Sequence, residues 1–321
     1  MRPNDPLTEA EITDIQDEAE NVRAFQLAAC SGGLAPFTAG AHVDVHLPGG
    51  LVRQYSLFGD PDAHEDYRIA VLREPASRGG SAAMHALKPG DRLRISPPRN
   101  LFPLDETADK TLLFAGGIGI TPILAMARRL HNLGRCFELH YCARSPARAA
   151  FLDRLAQAPF SADIFTHFDD GDASQKLNTH DLLAKPQAGT HLYVCGPGGF
   201  MAHLLSTAQE AGWDEAQLHR EYFSAQEATD QENQPFDIEI ASTGQVLTVP
   251  ADVTAWRVLD QAGFAVPVSC EQGICGTCLL GVKSGTPEHR DSYLTDEERA
   301  MNDQFTPCCS RSKTKRLVLD L

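Results

Sequence analysis

Three cysteines stand within the segment SCEQGICGTC, residues 269–278. Cys270, Cys275 and Cys278 follow the pattern C-x4-C-x2-C, and Cys308 comes after 29 intervening residues. Structural zinc sites usually draw their ligands as two separated close pairs or from mixed cysteine and histidine sets, and this spacing matches neither. A C-x2-C redox dithiol would leave Cys270 and Cys308 without a role. The spacing therefore disfavours both a zinc site and a simple dithiol.

The same spacing matches the plant-type [2Fe–2S] pattern, C-x4-C-x2-C…C. A two-iron cluster needs four thiolates, and a wide loop has to wrap one side of it. Gly273 and Gly276 let such a loop turn tightly and bring backbone N–H groups to the sulfur atoms. Cys309 competes with Cys308 for the fourth position, and the 29-residue interval favours Cys308. The predicted metal ligands are Cys270, Cys275, Cys278 and Cys308.

Composition limits what the remaining chain can be. Its 321 residues suffice for two or three domains, and 42% hydrophobic with 22% charged residues is typical of a globular protein. The formal net charge of −15 argues against nucleic acid and anionic membranes as partners, and no apolar run approaches the roughly 20 residues of a membrane span. The acidic start MRPNDPLTEAEITDIQDEAE resembles neither a secretory signal nor a transit peptide. Without export, the nine cysteines are expected to serve metal binding or redox chemistry and not a disulfide framework. We expect a cytoplasmic monomer with no nucleic-acid or membrane partner.

The first part of the chain alternates between apolar and polar residues in short runs. AHVDVHLPGG alternates and then ends in Pro-Gly-Gly, and YRIAVLRE and DRLRISPP repeat the pattern. Regular short strands with Gly and Pro between them are typical of a small antiparallel β-barrel. We assign residues 1–105 to this barrel. His42 and His46 share one face of its strand AHVDVH, and without a third ligand they are expected to be surface residues.

From residue 106 the pattern changes to strands that alternate with helices. KTLLFA, FELHYCA and HLYVCGP have the apolar character of buried parallel strands, whereas ILAMARRLHNLG and FMAHLLSTAQEAG have helical periodicity. Thr121 is the expected N-cap of the first of these helices, with Pro122 as its first residue. This alternation predicts an α/β domain with a parallel sheet over residues 106–225.

The C-terminal part begins after a polar segment, residues 226–235, which we interpret as a linker. FDIEIASTGQVLTV predicts a hairpin that turns at its Thr-Gly pair, and TAWRVLDQAG predicts a short helix. LTDEERA opens a second helix, with Thr295 and Glu298 spaced as a capping box. Residues 236–321 are therefore predicted to be a small α+β domain. Its basic segment, with Arg311, is expected to be a solvated tail or a patch for an acidic surface.

Two glycine-rich loops mark a candidate nucleotide site. GGIGITP follows a strand and opens a helix, where pyrophosphate can bind to backbone N–H groups. It is not the G-x-G-x-x-G fingerprint, because Pro122 replaces the third glycine, and alone it also fits an ordinary strand-to-helix turn. CGPGG, residues 195–199, closes a later strand of the same domain. Two such loops at the ends of parallel strands predict a ligand crevice, although Cys195 alone would fit a small buried residue.

RQYSL, residues 53–57, ends a strand of the predicted barrel with three polar side chains. Arg53 has the charge to neutralise a phosphate, Tyr55 the ring to lie against an aromatic system, and Ser56 the hydroxyl to bond a ring edge. An ordinary polar edge strand would account for the same residues.

These segments together resemble a known family. RQYSL, RGGS (78–81), GGIGITP, CGPGG and EYF (221–223), followed by a C-terminal cluster motif, are similar to the ferredoxin–NADP reductase superfamily. Their order resembles the phthalate dioxygenase reductase family, and the resemblance covers essentially the whole chain. It implies a multi-domain fold: an antiparallel β-barrel that binds FMN, an α/β parallel-sheet domain that binds NADH, and a C-terminal α+β β-grasp domain of plant-type ferredoxin.

The resemblance also implies which residues bind the cofactors. The family's R-x-Y-S segment holds the isoalloxazine and ribityl chain, the following strand gives backbone contacts, and the R-G-G-S turn wraps the FMN phosphate. Thr121 and Phe223 resemble residues beside the flavin ring, and the two glycine loops match the pyridine-nucleotide positions. The implied residues are Arg53, Gln54, Tyr55, Ser56, Ala70, Val71, Leu72, Arg78, Gly79, Gly80, Ser81, Gly117, Gly119, Thr121, Cys195, Gly196, Pro197 and Phe223.

The choice of NADH over NADPH is likewise implied by the family. Arg144 and Arg148 follow the FELHYCA strand, where an arginine could meet a 2′-phosphate, so NADPH stays open; solvated side chains would explain them equally.

The function implied is electron transfer from NADH through FMN to the [2Fe–2S] cluster and on to a Rieske-type terminal oxygenase. The cofactors transfer the hydride and the electrons, so no catalytic acid or base is expected. The alternatives are a general diaphorase, a reductase for a haem monooxygenase, and a redox sensor.

Overall fold

The structure is a computed structural model that describes residues 6–63, 65–75, 77, 79–223 and 233–321. Within these residues the chain forms two compact units, Pro6–Glu221 and Tyr222–Leu321. Arg78 and residues 226–232 of the predicted linker lie outside the described residues. In the described ranges, no helix combines the length and the apolar character needed to span a membrane.

The first unit begins with a closed antiparallel β-barrel. Its elements are β1 (Thr8–Ala19), β2 (Val22–Ala29), β3 (Ala41–His46), β4 (Val52–Ser56), β5 (Tyr67–Leu72), α1 (Gly80–His85), β6 (Arg92–Ile95) and β7 (Arg99–Asn100). The strand order is β4-β3-β6-β1-β2-β5, and β7 pairs with β3. A bridge between Leu57 and Ile69 joins the two ends of this order, and the N–H of Phe58 donates to the carbonyl of Arg68 at 2.9 Å. The barrel predicted from the alternating runs is confirmed.

The outer face of β3 is covered, which the sequence did not predict. β7 pairs with β3 through His42 and Arg99, and His42 is only 4% exposed. Asp44, on the same face, is fully buried and forms an ion pair of 2.7 Å with Arg99. The expectation that His42 is a surface residue is therefore wrong, because the neighbouring residues Arg99 on β7 and Gln54 on β4 lie beside it.

The second part of the first unit is an α/β layer with a parallel sheet. Its elements are β8 (Lys110–Gly116), α2 (Ile120–Asn132), β9 (Cys136–Ala143), α3 (Leu152–Ala156), β10 (Ile164–Phe168), α4 (Thr179–Leu183), β11 (Thr190–Cys195), α5 (Gly198–Glu210) and β12 (Leu218–Glu221). All strands are parallel, in the order β10-β9-β8-β11-β12. The chain runs outward from β8 on one side and returns to β11 on the other. The topological switch point therefore lies between β8 and β11, where a ligand crevice opens at the carboxyl ends of the strands.

Helix α2 starts earlier than the sequence predicted. Gly119 is its N-cap, and a 3-10 turn over Gly117–Gly119 leads directly into it. Thr121 lies inside the first turn, where its hydroxyl donates to the carbonyl of Ile118 at 3.1 Å. The expectation of Thr121 as N-cap is wrong, because the glycine turn is already helical and leaves no extended residue at Thr121. Pro122 is tolerated here because the first turn needs no N–H from it.

The barrel and the α/β layer share one hydrophobic core. Phe58 of the barrel lies against Phe151, with ring centroids 4.6 Å apart, and Phe102 lies 5.5 Å from Tyr193. An ion pair of 2.7 Å between Arg154 and Glu18 crosses the same boundary. The two sheets therefore fold as one unit, and the boundary at residues 105/106 stays a prediction from the change in sequence pattern.

The second unit is a small α+β fold. Its elements are β13 (Phe236–Ile240), β14 (Val246–Val249), α6 (Ala255–Gln261), β15 (Leu280–Ser284), β16 (Pro287–Glu288), α7 (Asp296–Met301), β17 (Gln304–Phe305), β18 (Arg311–Ser312) and β19 (Arg316–Leu319). The main sheet has the order β14-β13-β19-β15-β17, with a parallel central pair, β13 and β19, and antiparallel neighbours. Helix α6 packs Leu259 into its core. The hairpin turn at Gly244 and the capping box of Thr295 and Glu298 are as predicted.

Arg311 is part of this fold and not of a solvated tail. It is 5% exposed, and its guanidinium lies 5.2 Å from the centroid of the Phe236 ring. It donates to the carbonyls of Val253, Pro250 and Gln234 at 3.2, 2.9 and 3.0 Å. These hydrogen bonds therefore tie the start of β18 to the segment before β13 and to the segment after β14.

Candidate functional site

Strand β4 presents the predicted flavin residues at one edge of the barrel. The amide of Gln54 donates to Asp44 at 3.0 Å, and it lies 3.2 Å from Nε2 of His42. Burial raises the pKa of Tyr55 well above its usual range, although the charge of Arg53 opposes this. Tyr55 is therefore a half-buried aromatic ring at this edge of the barrel.

Arg53 lies against the turn predicted to wrap the phosphate. A Cβ on Gly80 would come within 2.6 Å of Cγ and 2.7 Å of Nε of Arg53. Gly79 has φ of +92°, which only glycine adopts readily, and the hydroxyl of Ser81 accepts from the N–H of Glu74 at 3.1 Å. The glycines thus leave a cradle beside a guanidinium, which fits the phosphate of FMN.

The predicted backbone contacts come from the end of β5. Residues 70–72 pair with β2 on one side, and no strand among the described residues pairs with their other edge. The ring of His85 lies 2.8 Å from the carbonyl of Val71, so that carbonyl is already occupied. The backbone contacts expected from Ala70 and Leu72 stay a prediction.

The two glycine-rich loops meet at the switch point. A Cβ on Gly119 would lie 2.2 Å from the carbonyl oxygen of Cys195 and 2.7 Å from the nitrogen of Gly196. A Cβ on Gly116 would lie 2.8 Å from Cδ of Pro197. The loops therefore touch backbone to backbone, which brings Gly117, Gly119, Cys195, Gly196 and Pro197 of the prediction together at the carboxyl ends of β8 and β11.

Glu221 is a site residue that the sequence reasoning did not select. It ends β12 directly opposite Cys195 of β11, and the hydroxyl of Ser56 donates to its Oε2 at 3.4 Å. Burial raises the pKa of Glu221 to about 8, although the bond from Ser56 lowers it. Burial also raises the pKa of Cys195, and Glu221 adds to that rise. The strand of the predicted flavin residues and the nucleotide crevice thus meet at Ser56, Glu221 and Cys195, which are uncharged at neutral pH. The motif EYF was the only sequence signal for Glu221.

The remaining predicted positions are distributed more widely. Thr121 is 2% exposed in the first turn of α2, beside the nucleotide loop. Phe223 lies in the second compact unit and is 36% exposed. Arg144 and Arg148 are exposed, and Arg148 lies 3.3 Å from Glu20.

The four predicted cluster ligands come together in the second unit, and each is at most 9% exposed. The thiol of Cys270 lies within hydrogen-bonding reach of Cys275 and Cys308, which lowers its pKa. The thiol of Cys308 is also within reach of Cys278. The structure thus gathers four sulfur atoms from two segments that are separated in sequence.

The loop geometry supplies N–H groups to these sulfurs. The N–H of Gln272 donates to Cys270 at 3.3 Å, and that of Thr277 donates to Cys275 at 3.5 Å. Gly276 has φ of +65°, and a Cβ there would lie 2.2 Å from the ring of Tyr293. The loop therefore requires glycine at this turn, as the sequence predicted for a loop around a cluster.

Cys309 lies next to this set, but its sulfur contacts hydroxyl groups. It is more exposed than Cys308, and its sulfur lies 3.5 Å from the hydroxyl of Thr306 and 3.7 Å from that of Ser310. The geometry favours Cys308 over Cys309 as the fourth ligand.

The donor set fits a two-iron cluster. In the part of the chain that the structure describes, no three His, Cys, Asp or Glu side chains are placed to hold one metal ion. A [2Fe–2S] centre instead divides four thiolates between two irons. Four buried thiols with N–H donors at hand match that requirement.

Comparison with known proteins agrees with this site. The family described as dimethylamine monooxygenase subunit DmmA-like, N-terminal domain, matches residues 91–218, and the 2Fe-2S iron-sulfur cluster binding domain matches residues 238–313. Vanillate O-demethylase oxidoreductase of Pseudomonas sp. (strain HR199 / DSM 7063) is 57% identical, over 98% of this chain and 100% of that protein. The heme-dependent oxidative N-demethylase beta subunit of Ectopseudomonas mendocina (strain ymp) is 40% identical, over 98% of this chain and 99% of that protein.

Among solved structures, phthalate dioxygenase reductase, described as a modular structure for electron transfer from pyridine nucleotides to [2Fe-2S], superposes with a TM-score of 0.78. The identity is 37%, and the match covers 98% of both chains.

The fold and the site define a flavin and iron–sulfur electron-transfer reductase. The chain belongs to the phthalate dioxygenase reductase family. It is the reductase component of an oxygenase system, and it transfers electrons through a flavin and a [2Fe–2S] cluster.

Proposed function

We propose that this reductase takes hydride from NADH at the crevice between β8 and β11 and serves a Rieske-type terminal oxygenase, as a cytoplasmic monomer. The observation that carries the proposal is the contact of 3.4 Å between Ser56 and Glu221, where the barrel strand of the flavin residues meets the nucleotide loops. Hydride transfer needs reacting atoms about 3–3.5 Å apart, so a protein contributes mainly by placing them.

The first unit is suited to that placement because its barrel and its α/β layer share one hydrophobic core. The glycine loops hold a pyridine nucleotide through backbone N–H groups at a helix start. Arg53 and the turn at Gly79 and Gly80 would hold the FMN phosphate, and Tyr55 would offer an aromatic surface to the ring. Ser56 and Glu221 form a hydrogen bond without a net charge at neutral pH, since the pKa of Glu221 is about 8. A neutral pair keeps fixed charge away from the point where hydride passes.

The second unit supplies the exit for electrons. A flavin accepts electrons in pairs and a [2Fe–2S] cluster carries one at a time. Cys270, Cys275, Cys278 and Cys308 hold the cluster in this proposal, and their burial excludes water from the sulfurs.

The organic substrate belongs to the oxygenase partner. The similarity to vanillate O-demethylase oxidoreductase extends over the whole length of both chains, which favours an aromatic methyl ether as the substrate of that partner.

An anaerobic NADH titration followed by absorbance and EPR tests the electron path. Uptake of about three electrons per chain, two for the flavin and one for the cluster, is expected. A flavin that bleaches without an iron signal would refute the path. Coupled turnover with a purified Rieske-type vanillate demethylase oxygenase then tests the partner, and size-exclusion chromatography with light scattering tests the monomer.

A haem-containing partner is the second candidate. The relative from Ectopseudomonas mendocina, named as a subunit of a heme-dependent oxidative N-demethylase, matches this chain over nearly its full length. Faster coupled turnover with a haem oxygenase than with a Rieske oxygenase would favour this candidate, whereas slow NADH turnover with both and redox-dependent binding would favour a sensor.

A further inference from the structure

Asp291 is a buried carboxylate located between the two segments that carry the four cysteines. Its side chain is 0% exposed. A carboxylate removed from water is costly unless it is extensively hydrogen-bonded. The function described so far assigns no role to this charge.

Four hydrogen bonds tie the Asp291 carboxylate to segments beside the cysteines. Oδ2 accepts from the backbone N–H of Tyr293 at 3.2 Å and of Leu294 at 2.9 Å. Oδ1 accepts from the hydroxyl of Thr306 at 3.2 Å and of Ser310 at 3.3 Å. Since Thr306 and Ser310 enclose Cys308 in sequence, the carboxylate anchors the segment that brings in the fourth thiol.

The first cysteine segment packs on the same residue. A Cβ on Gly273 would lie 2.9 Å from Cα of Asp291 and 2.4 Å from the sulfur of Cys309. The N–H of Ser292 donates to the carbonyl of Gly273 at 2.9 Å. The loop over residues 270–278 and the segment over residues 306–310 therefore meet at Asp291.

Two basic side chains lie near Asp291. Arg299 donates to the main-chain carbonyl of Asp291 at 2.5 Å, and Nδ1 of His289 lies 3.6 Å from Oδ1. The four hydrogen-bond donors to the carboxylate oxygens named above are two amides and two hydroxyls, which are neutral groups.

We propose that Asp291 is a positioning residue for the cluster, and that its charge lowers the reduction potential of the cluster. The carboxylate fixes the segment of Cys308 against the loop of Cys270, Cys275 and Cys278. A fixed negative charge behind that loop opposes the addition of an electron, because net charge near a cluster sets its potential. This inference deepens the proposed function and rests on it.

The substitution Asp291→Asn separates charge from geometry. Asparagine can still accept from both backbone amides, and its NH2 group can donate to the hydroxyls of Thr306 and Ser310, which turn to accept. The fold is therefore retained while the charge is lost. Asp237→Asn is the matched control, since Asp237 carries the same charge on β13, where it accepts from Thr248 at 2.8 Å.

The measurement is a potentiometric titration of the full-length protein, read by the EPR signal of the reduced cluster. For Asp291→Asn we expect the ratio of reduced to oxidised cluster at a fixed potential to rise about tenfold, which is about 59 mV for one electron. Asp237→Asn is expected to leave the ratio unchanged. An unmoved Asp291→Asn, or an equal shift in both variants, would overturn the inference.

A second variant covers the case in which Asp291→Asn does not fold. Thr306→Val keeps the charge and removes one hydroxyl donor, so the ratio of reduced to oxidised cluster is expected to fall by about two- to threefold. A ratio equal to that of the wild type would overturn the inference. Wild-type protein without a two-iron EPR signal would refute the proposed function itself, whereas a wild-type signal with an unmoved ratio in the variants refutes this inference alone.

Discussion

The close contact between the two nucleotide loops makes Gly119 the most sensitive position of the crevice. A Cβ there would lie 2.2 Å from the carbonyl oxygen of Cys195, 2.5 Å from its carbonyl carbon and 2.7 Å from the nitrogen of Gly196. Ordinary contact begins near 3.4 Å, so Gly119→Ala has to move one loop by about 1 Å. All three atoms belong to the backbone and cannot rotate away. Overpacking of this kind costs about 1–3 kcal/mol of unfolding free energy.

The same displacement should reduce hydride transfer, since a misplacement of about 1 Å can cost about 10²-fold in rate. The assay is kcat/KM for NADH with an artificial acceptor that takes electrons from the flavin, together with urea unfolding. Gly33→Ala is the control, because Gly33 lies outside the crevice and a Cβ there meets nothing within 4 Å. We expect Gly119→Ala to lose most of its activity and Gly33→Ala to keep it. Equal activity in the two variants would refute the steric argument.

Three further predictions concern single residues. Burial raises the folded-state pKa of Glu221 to about 8, so the free energy of unfolding of the wild type should fall as the pH rises from about 4.5 to 8. Glu221→Gln should remove about 2–3 kcal/mol of this fall, after allowance for the partial exposure of the side chain. Urea unfolding at pH 5 and pH 8.5 measures the difference. A slope that survives the substitution would contradict the assignment. Burial lowers the pKa of His140 to about 4, so the unfolded chain binds a proton at a higher pH than the folded chain does. The wild type should therefore lose about 3 kcal/mol of unfolding free energy as the pH falls from about 6.5 to 4. His140→Phe should flatten that decline, measured by thermal unfolding over the same pH range. Cys309→Ser should keep full iron content and Cys308→Ser should lose most of it, measured by iron and sulfide analysis, and the reverse order would make Cys309 the ligand.

The parts of the site that depend on local sequence could be predicted. The cysteine loop needs glycine where its backbone turns, and the nucleotide loops need glycine where the two backbones touch, so both left a visible motif. The order of strands and helices followed from alternation and helical periodicity. These features are set by residues close together in the chain.

Contacts between distant segments could not be predicted in the same way. Ser56 and Glu221 are 165 residues apart, and only the fold places them within 3.4 Å. The sequence indicated that His42 is exposed, but Arg99 on β7 and Gln54 on β4 lie beside it. Arg311 appeared to belong to a basic tail, but its guanidinium is surrounded by three carbonyls. In each case a partner remote in sequence decides whether a polar side chain is buried.

The core shared by the barrel and the α/β layer also has a consequence for how such chains can be recombined. A cut near residue 105 would expose Phe58 and Phe102 on one fragment and their partners Phe151 and Tyr193 on the other. Each fragment would carry an apolar surface that invites aggregation. We therefore expect gene fusions that keep function to retain the barrel and the α/β layer together.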